Sequence, residues 1–419
     1  MSAQRLDITR LGGQGDGIAE TPAGQVFVPF TVPGDSVNVA VEKSRGTLIS
    51  VLQPSPDRVT PPCPHFGPDS DDAGCGGCAL QHVADEAYRD WKRDLVVAAL
   101  ESRGIKTDVA PLVTCEPGTR RRVVFAARRT EKGAILGFNR AQSHQIVRVD
   151  TCIVATQRIN QELPALRRLA TAVAVGKEAF RLSVLDAEPG LDLAVDAPFK
   201  LAEPDRLRII TAVRAEKAVT RLTFNGEILI EKLPPQLVFG TATVNPPSGG
   251  FVQASHEAET VMGDLVTGHL KKCKRVADLF SGSGTFALRL AQQSHVHAVE
   301  GDGPSLAALD RAARHTPGLK PVSVEKRDLF RRPLMVAELK TYQGLVFDPP
   351  RAGAEVQVVD IARSTITRIA AVSCNPVTLA RDLEILIKGG YKLTSVTPID
   401  QFLWSSHVEV VGLLERPKR

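Results

Sequence analysis

Residues 249–419 predict a doubly wound α/β domain, and two β-rich parts precede it. Three observations predict this. From about 250 onward, short apolar runs alternate with helical stretches, as in a parallel sheet covered on both faces. The first run, RVADLF (275–280), passes straight into the glycine turn SGSGTFAL, the place where such sheets hold ligands. Residues 1–58 have the opposite texture: GGQGDGIAE and VPGDSVNVAVE are short alternating strands with Gly or Pro turns, the pattern of a small β-barrel.

A chain of 419 residues is too long for one core, and two to three domains are expected. With 43% hydrophobic and 24% charged residues it has ordinary globular composition. The start, MSAQRLDITR, is polar, and no apolar run reaches the roughly 20 residues of a membrane span. A cytoplasmic protein without membrane association is therefore expected. Seven cysteines in a reducing compartment point to metal or catalysis rather than disulfides. The net charge of +5 mildly favours an anionic partner.

Along the chain, QPSPDRVTPPCP (53–64) marks the end of the barrel, because paired prolines continue neither helix nor central strand. Residues 84–104 have apolar positions at helical spacing and stop at Gly104. Residues 59–248 form a central β-rich α+β part containing this helix, which is expected to pack on the α/β domain, and a second helix at about 157–175. Within it TRRRVVFAARR (119–129) concentrates five arginines, a solvated strand edge or a nucleic-acid surface, and Arg120, Arg121 and Arg122 are expected, with the barrel, to hold the phosphates. In the α/β part the strands are 275–280, 296–301, 322–328, 345–350, 370–376, 392–400 and 407–414. The last two are joined too tightly for a parallel crossover, so the seventh runs antiparallel.

The chemistry-bearing residues lie at strand ends. Gly282, Gly284 and Ala287 fit G-x-G-x-x-A, and Glu300 ends the second strand, where a carboxylate accepts ribose hydroxyls. NAD and S-adenosylmethionine share that ribose. The fourth strand separates them: it ends in Asp348-Pro349-Pro350, a rigid corner of the kind found in enzymes that methylate bases. The fifth ends in Cys374-Asn375-Pro376, where a thiol serves either packing or nucleophilic attack.

DPPRAG (348–353), SCNP (373–376) and IDQFLWSSHVE (399–409), in this order, resemble the RNA 5-methyluridine (uracil-C5) methyltransferase family, most of all its 23S rRNA members. The resemblance implies a Rossmann-like class I methyltransferase sheet, an N-terminal OB-like TRAM barrel that binds RNA, S-adenosylmethionine as methyl donor, and a monomer acting on structured RNA, rRNA rather than tRNA. By resemblance, Gln253 in FVQAS, Phe280, Gly282, Gly284, Thr285, Glu300, Asp328 and Asp348 face the cofactor. Thr285 stands where some relatives have Asn, and Asp328 at a strand end is equally a turn residue. Cys374 is the nucleophile: a thiolate added to uracil carbon 6 makes carbon 5 able to attack a methyl sulfonium. Glu409 is the base that afterwards removes the carbon 5 proton. On an alternating strand Glu409 could instead be merely solvated.

Cys63, Cys75 and Cys78, with Cys152 as a distant fourth, suit zinc by spacing. The resemblance favours a [4Fe–4S] cluster, although the polar insert PDSDDAG lengthens the first spacing beyond the family's common one. Cys115 and Cys273 sit in no motif. Two alternatives remain besides rRNA uracil-C5 methylation: a tRNA enzyme of the same chemistry, and an RNA-binding iron–sulfur protein whose methyltransferase domain is vestigial. An exocyclic-amine methyltransferase would leave Cys374 and Glu409 without a purpose.

Overall fold

The computed structural model describes residues 3–68, 74–141 and 143–417; the insert's residues 69–73 lie outside them. A six-stranded sheet of residues 3–53 curls around Leu6, Ile8, Val28, Val37 and Val39. Its end is fastened by Asp35, whose carboxylate accepts hydrogen bonds from the N–H groups of Val32 and Ser55 and pairs with Arg58.

The central part is a seven-stranded sheet, in the order 146–148, 133–139, 122–130, 180–186, 191–196, 219–224, 227–231. Leu163–Val173 and Glu203–Ala215 cover it with a common apolar core. The helix expected at 157–175 is two helices, Gln157–Gln161 and Leu163–Val173. Pro164 starts the second, where a missing N–H costs nothing.

All seven expected strands of the α/β part are present. Their spatial order is 322–326, 295–300, 275–279, 344–347, 368–373, 409–415, 392–400. The first five are mutually parallel, and Glu409–Glu415 lies antiparallel between Arg368–Ser373 and Lys392–Asp400. The central strands Gly344–Phe347 and Arg368–Ser373 are apolar without alternation because helices cover both faces. Val113–Thr114 adds an edge strand from the central part. Asp85–Glu101 packs on the sheet through Val96, Ala99 and Leu100, as expected, and its first turn carries Asp85 and Glu86 at the positive end of the dipole. Its buried Lys92 pairs with Asp400, which also accepts from the Tyr88 hydroxyl at 2.5 Å.

Antiparallel insertion has a consequence for the site. A parallel strand ends at the carboxyl edge of the sheet, and an antiparallel one begins there. Glu409, first in its strand, therefore lies at the same edge as Cys374, which follows Ser373, and Asp348, which follows Phe347.

Candidate active site

The glycine turn departs from ordinary backbone in three places. Phe280 has φ +60°, Gly282 +52° and Gly284 +100°. A Cβ on Gly284 would lie 2.9 Å from Leu309, whereas one on Gly282 would meet nothing within 4 Å, so the turn is packed on one side and open on the other. Glu300 is fixed beside it by the N–H groups of Gly282 (2.9 Å) and Asp302 (2.7 Å), which leaves further lone pairs for a ligand. The Phe280 ring meets the exposed Phe330 ring at 5.4 Å in a tilted pair. Asp328 is exposed; it accepts from the N–H of Phe330 and pairs with Arg331, the turn role its position also suggested. Thr285 is half-buried in the turn.

Across the sheet edge, four residues form one hydrogen-bonded chain. Gln253 donates to Asp348 (Nε2 to Oδ2, 3.1 Å), and Gln401 donates both to Gln253 (2.8 Å) and to Glu409 (2.7 Å). Glu409 is 2% exposed, so it is not a solvated surface carboxylate. Burial, and for Glu409 the neighbouring Asp348 charge, raise both acids: Asp348 to about 7 and Glu409 to about 8. Cys374 lies within the field of both. Its thiol is pushed up to about 11 by burial, then by Glu409 and Asp348, against the opposing charge of Arg351.

Several participants were not singled out from sequence. Asp278, fully buried at the end of the first strand, is held well above the carboxylate range by desolvation and by Asp348, and neither of its oxygens has a partner of ordinary geometry. The hydroxyls of Ser281 and Ser283 are likewise unpaired. Arg351 follows the Pro-Pro corner, and its carbonyl accepts from Asn375 and Thr378, which ties that corner to the Cys374 turn. Strand-end position could have found Asp278; nothing in the sequence marks the partner of Arg351.

The arginine run needs a correction. Arg121 is buried, bonded to Glu259 (2.5 Å) and to the Gln253 carbonyl (3.1 Å), and cannot hold a phosphate. Arg120 stacks over Phe402. Only Arg128 and Arg129 of the five are exposed. Cys115 and Cys273 are core thiols.

Cys63, Cys75, Cys78 and Cys152 line one cavity of about 240 Å³, together with Phe402 and His407. Gln81 holds the Cys63 N–H and Asn160 the Cys152 N–H, so side chains fix these loops. Burial, with the neighbouring thiols, pushes Cys75 to about 11 and Cys78 to about 12. Among the described residues no group of three or more His, Cys, Asp or Glu is placed to hold a metal ion.

A glycine turn, a strand-end carboxylate bonded to that turn and the 3-2-1-4-5-7-6 strand order define the class: a class I S-adenosylmethionine-dependent methyltransferase. The family model for tRNA (uracil-5-)-methyltransferase matches residues 203–417, and the TRAM domain model matches 2–48. An uncharacterized RNA methyltransferase of Rhizobium meliloti is 54% identical over 416 residues, 99% of this chain and 100% of that protein. The 23S rRNA (uracil(1939)-C(5))-methyltransferase RlmD of Shewanella woodyi is 30% identical over 429 residues, covering 98% and 95%. In fold, the chain matches the tRNA (uracil-54, C5)-methyltransferase of Pyrococcus abyssi, solved with S-adenosyl-L-homocysteine, at a TM-score of 0.75 and 21% identity over 98% and 99% of the two chains. The chain belongs to the RNA uracil-C5 methyltransferase family. Its partner is RNA, and no helix among the described residues is long and apolar enough to cross a membrane.

Proposed function

We propose that this enzyme methylates carbon 5 of a uridine in structured RNA, rRNA in particular, through a covalent bond between Cys374 and carbon 6. The observation that carries the reading is the convergence of Cys374, Asp348 and Glu409 at one sheet edge, with Gln253 bridging to Asp348. Buried acids with Arg351 as the nearby cation favour a positively charged guest, which supports a methyl sulfonium bound between Gln253, Asp348, Asp278 and the turn at Gly282. Phe280 and Phe330 offer apolar ring surface beside the turn, and Glu300 would take the ribose hydroxyls.

Cys374 would lose its proton to solvent and bond through sulfur to carbon 6, which moves the ring electrons into an enolate. Carbon 5 would then take the methyl group as the S–CH3 bond of the bound sulfonium breaks and a neutral thioether leaves, so that carbon 5 carries both methyl and hydrogen. Glu409 then removes that hydrogen as a proton, the ring double bond re-forms, and the thiolate leaves. A buried carboxylate raised to about 8 is well matched to this proton transfer near neutral pH. Glu409→Gln should attack and methylate yet retain a denaturation-resistant protein–RNA adduct carrying the methyl group, whereas Cys374→Ala should form none. Turnover of Glu409→Gln at the wild-type rate would refute the base assignment.

The rRNA reading rests on the Shewanella relative and the TRAM match; comparing methylation of protein-free rRNA and tRNA tests it against the tRNA alternative. We propose a [4Fe–4S] cluster at the four thiols that line one cavity, with a single zinc ion as the alternative.

A further inference from the structure

Gln401 is 3% exposed and uses three of its four hydrogen-bonding positions. Its carbonyl accepts from the Ala254 N–H at 2.8 Å. A backbone N–H can only donate, so this bond fixes which end of the amide is oxygen. Both Nε2 protons then point the other way, one to Glu409 and one to Gln253. Gln253, whose oxygen accepts this hydrogen bond, must turn its own Nε2 to Asp348, as observed. The orientation of the whole chain thus descends from one main-chain hydrogen bond.

We propose that Gln401 is a positioning residue for the reaction: it holds the base Glu409 in place, gives its carboxylate an N–H partner, and locks the Gln253 amide toward Asp348. This rests on Glu409 being the base. A buried acid without a donor keeps its proton longer. The charged and titratable groups around Glu409 are Asp348 and Cys374 on the neighbouring strand ends, Arg351 beyond Cys374, and His407 on its own segment. None of these is an N–H donor to Glu409 in place of Gln401.

Methyl transfer and product release should respond differently to its removal. In Gln401→Met, which keeps length but lacks the donor, release should slow at least about ten-fold at pH 7.5. The midpoint of its pH dependence should move up by about one unit or more, as expected when a charged group is deprived of one hydrogen bond. Raising the pH should restore the rate, which a packing defect would not allow. Gln401→Glu keeps an acceptor for Ala254 and should shift the midpoint in the same direction. The experiment follows adduct formation and decay in single turnovers across pH 6–10, with Glu409→Gln in parallel and thermal melting as the check on folding. Wild-type midpoints in both Gln401 variants overturn the proposal while a trapped adduct in Glu409→Gln keeps the base assignment standing. Absence of that adduct overturns the base assignment itself.

Discussion

The reactivity of Cys374 should betray its surroundings before any RNA is added. Its thiol is pushed from an ordinary 9.0 to about 11, a two-unit rise that cuts the thiolate population at neutral pH about 100-fold. A more basic thiolate is also more nucleophilic, and a Brønsted slope of about 0.4–0.5 returns roughly six- to ten-fold of that loss. Alkylation of Cys374 by iodoacetamide should therefore run about 10- to 15-fold slower than that of an ordinary exposed thiol. Glu409 is ionised where Cys374 titrates, since its proton leaves at about 8. Glu409→Gln removes that negative charge and should lower the Cys374 midpoint, while Arg351→Gln should raise it.

A cationic analogue should act in the same direction as Glu409→Gln. Sinefungin carries an ammonium in place of the sulfonium and should speed alkylation relative to neutral S-adenosylhomocysteine, which occupies the same space. Peptide mass mapping with Cys374→Ala as the blank isolates this thiol from the other six. A midpoint in the ordinary thiol range, or one indifferent to Glu409→Gln, would refute the electrostatic account.

Arg121→Ala leaves the buried Glu259 paired with Arg289 and, more loosely, His256, and should cost about 1.5–3 kcal/mol in denaturant unfolding together with affinity for the methyl donor, while leaving the salt slope of RNA binding unchanged. Arg128→Ala with Arg129→Ala should instead reduce that slope, by roughly one counterion for each phosphate the two arginines neutralise, at little cost in stability. Anaerobically purified protein should contain iron and acid-labile sulfide, reduced by Cys152→Ser; stoichiometric zinc without sulfide would mean a single-ion site.

How much of this was legible depended on whether a residue's role is local. Strand–helix alternation is a local pattern, so all seven strands were readable, and the short link after Asp400 even gave the direction of the last one. Cys374 and Asp348 were readable because chemistry at a strand end needs only the strand and the residue after it. Arg121 was misread because its partner Glu259 lies 138 positions away, and a buried ion pair looks in sequence like a surface charge. Lys92 within an amphipathic helix was unreadable for the same reason, its partner Asp400 being 308 positions distant. Gln401 stood in a motif quoted for its neighbours, yet an amide has no preferred chemistry until its donors and acceptors are assigned.

The Lys92–Asp400 pair anchors the segment that leads to Glu409, and other contacts fasten the same segment. Asp400 is tied to Lys92 and Tyr88 of helix Asp85–Glu101, and the Trp404 carbonyl accepts from the N–H groups of Ala79 and Leu80, immediately after Cys78. Phe402 and His407 wall the cysteine cavity, Gln401 borders both that cavity and the buried acids, and Glu409 lies beside Asp348 and Cys374. Between Asp400 and Glu409, then, the chain passes from a buried ion pair, along the cysteine cavity, to the carboxylate proposed as the base. A buried pair contributes little net stability but is costly to break on one side, which suits it to fixing the register of a segment with no helix or strand of its own. The loop after Cys78 grips the same segment through Trp404, so any disturbance of the cysteine-bearing loops would be expected to reach Gln401, which is held from the other side by the fixed Asp400.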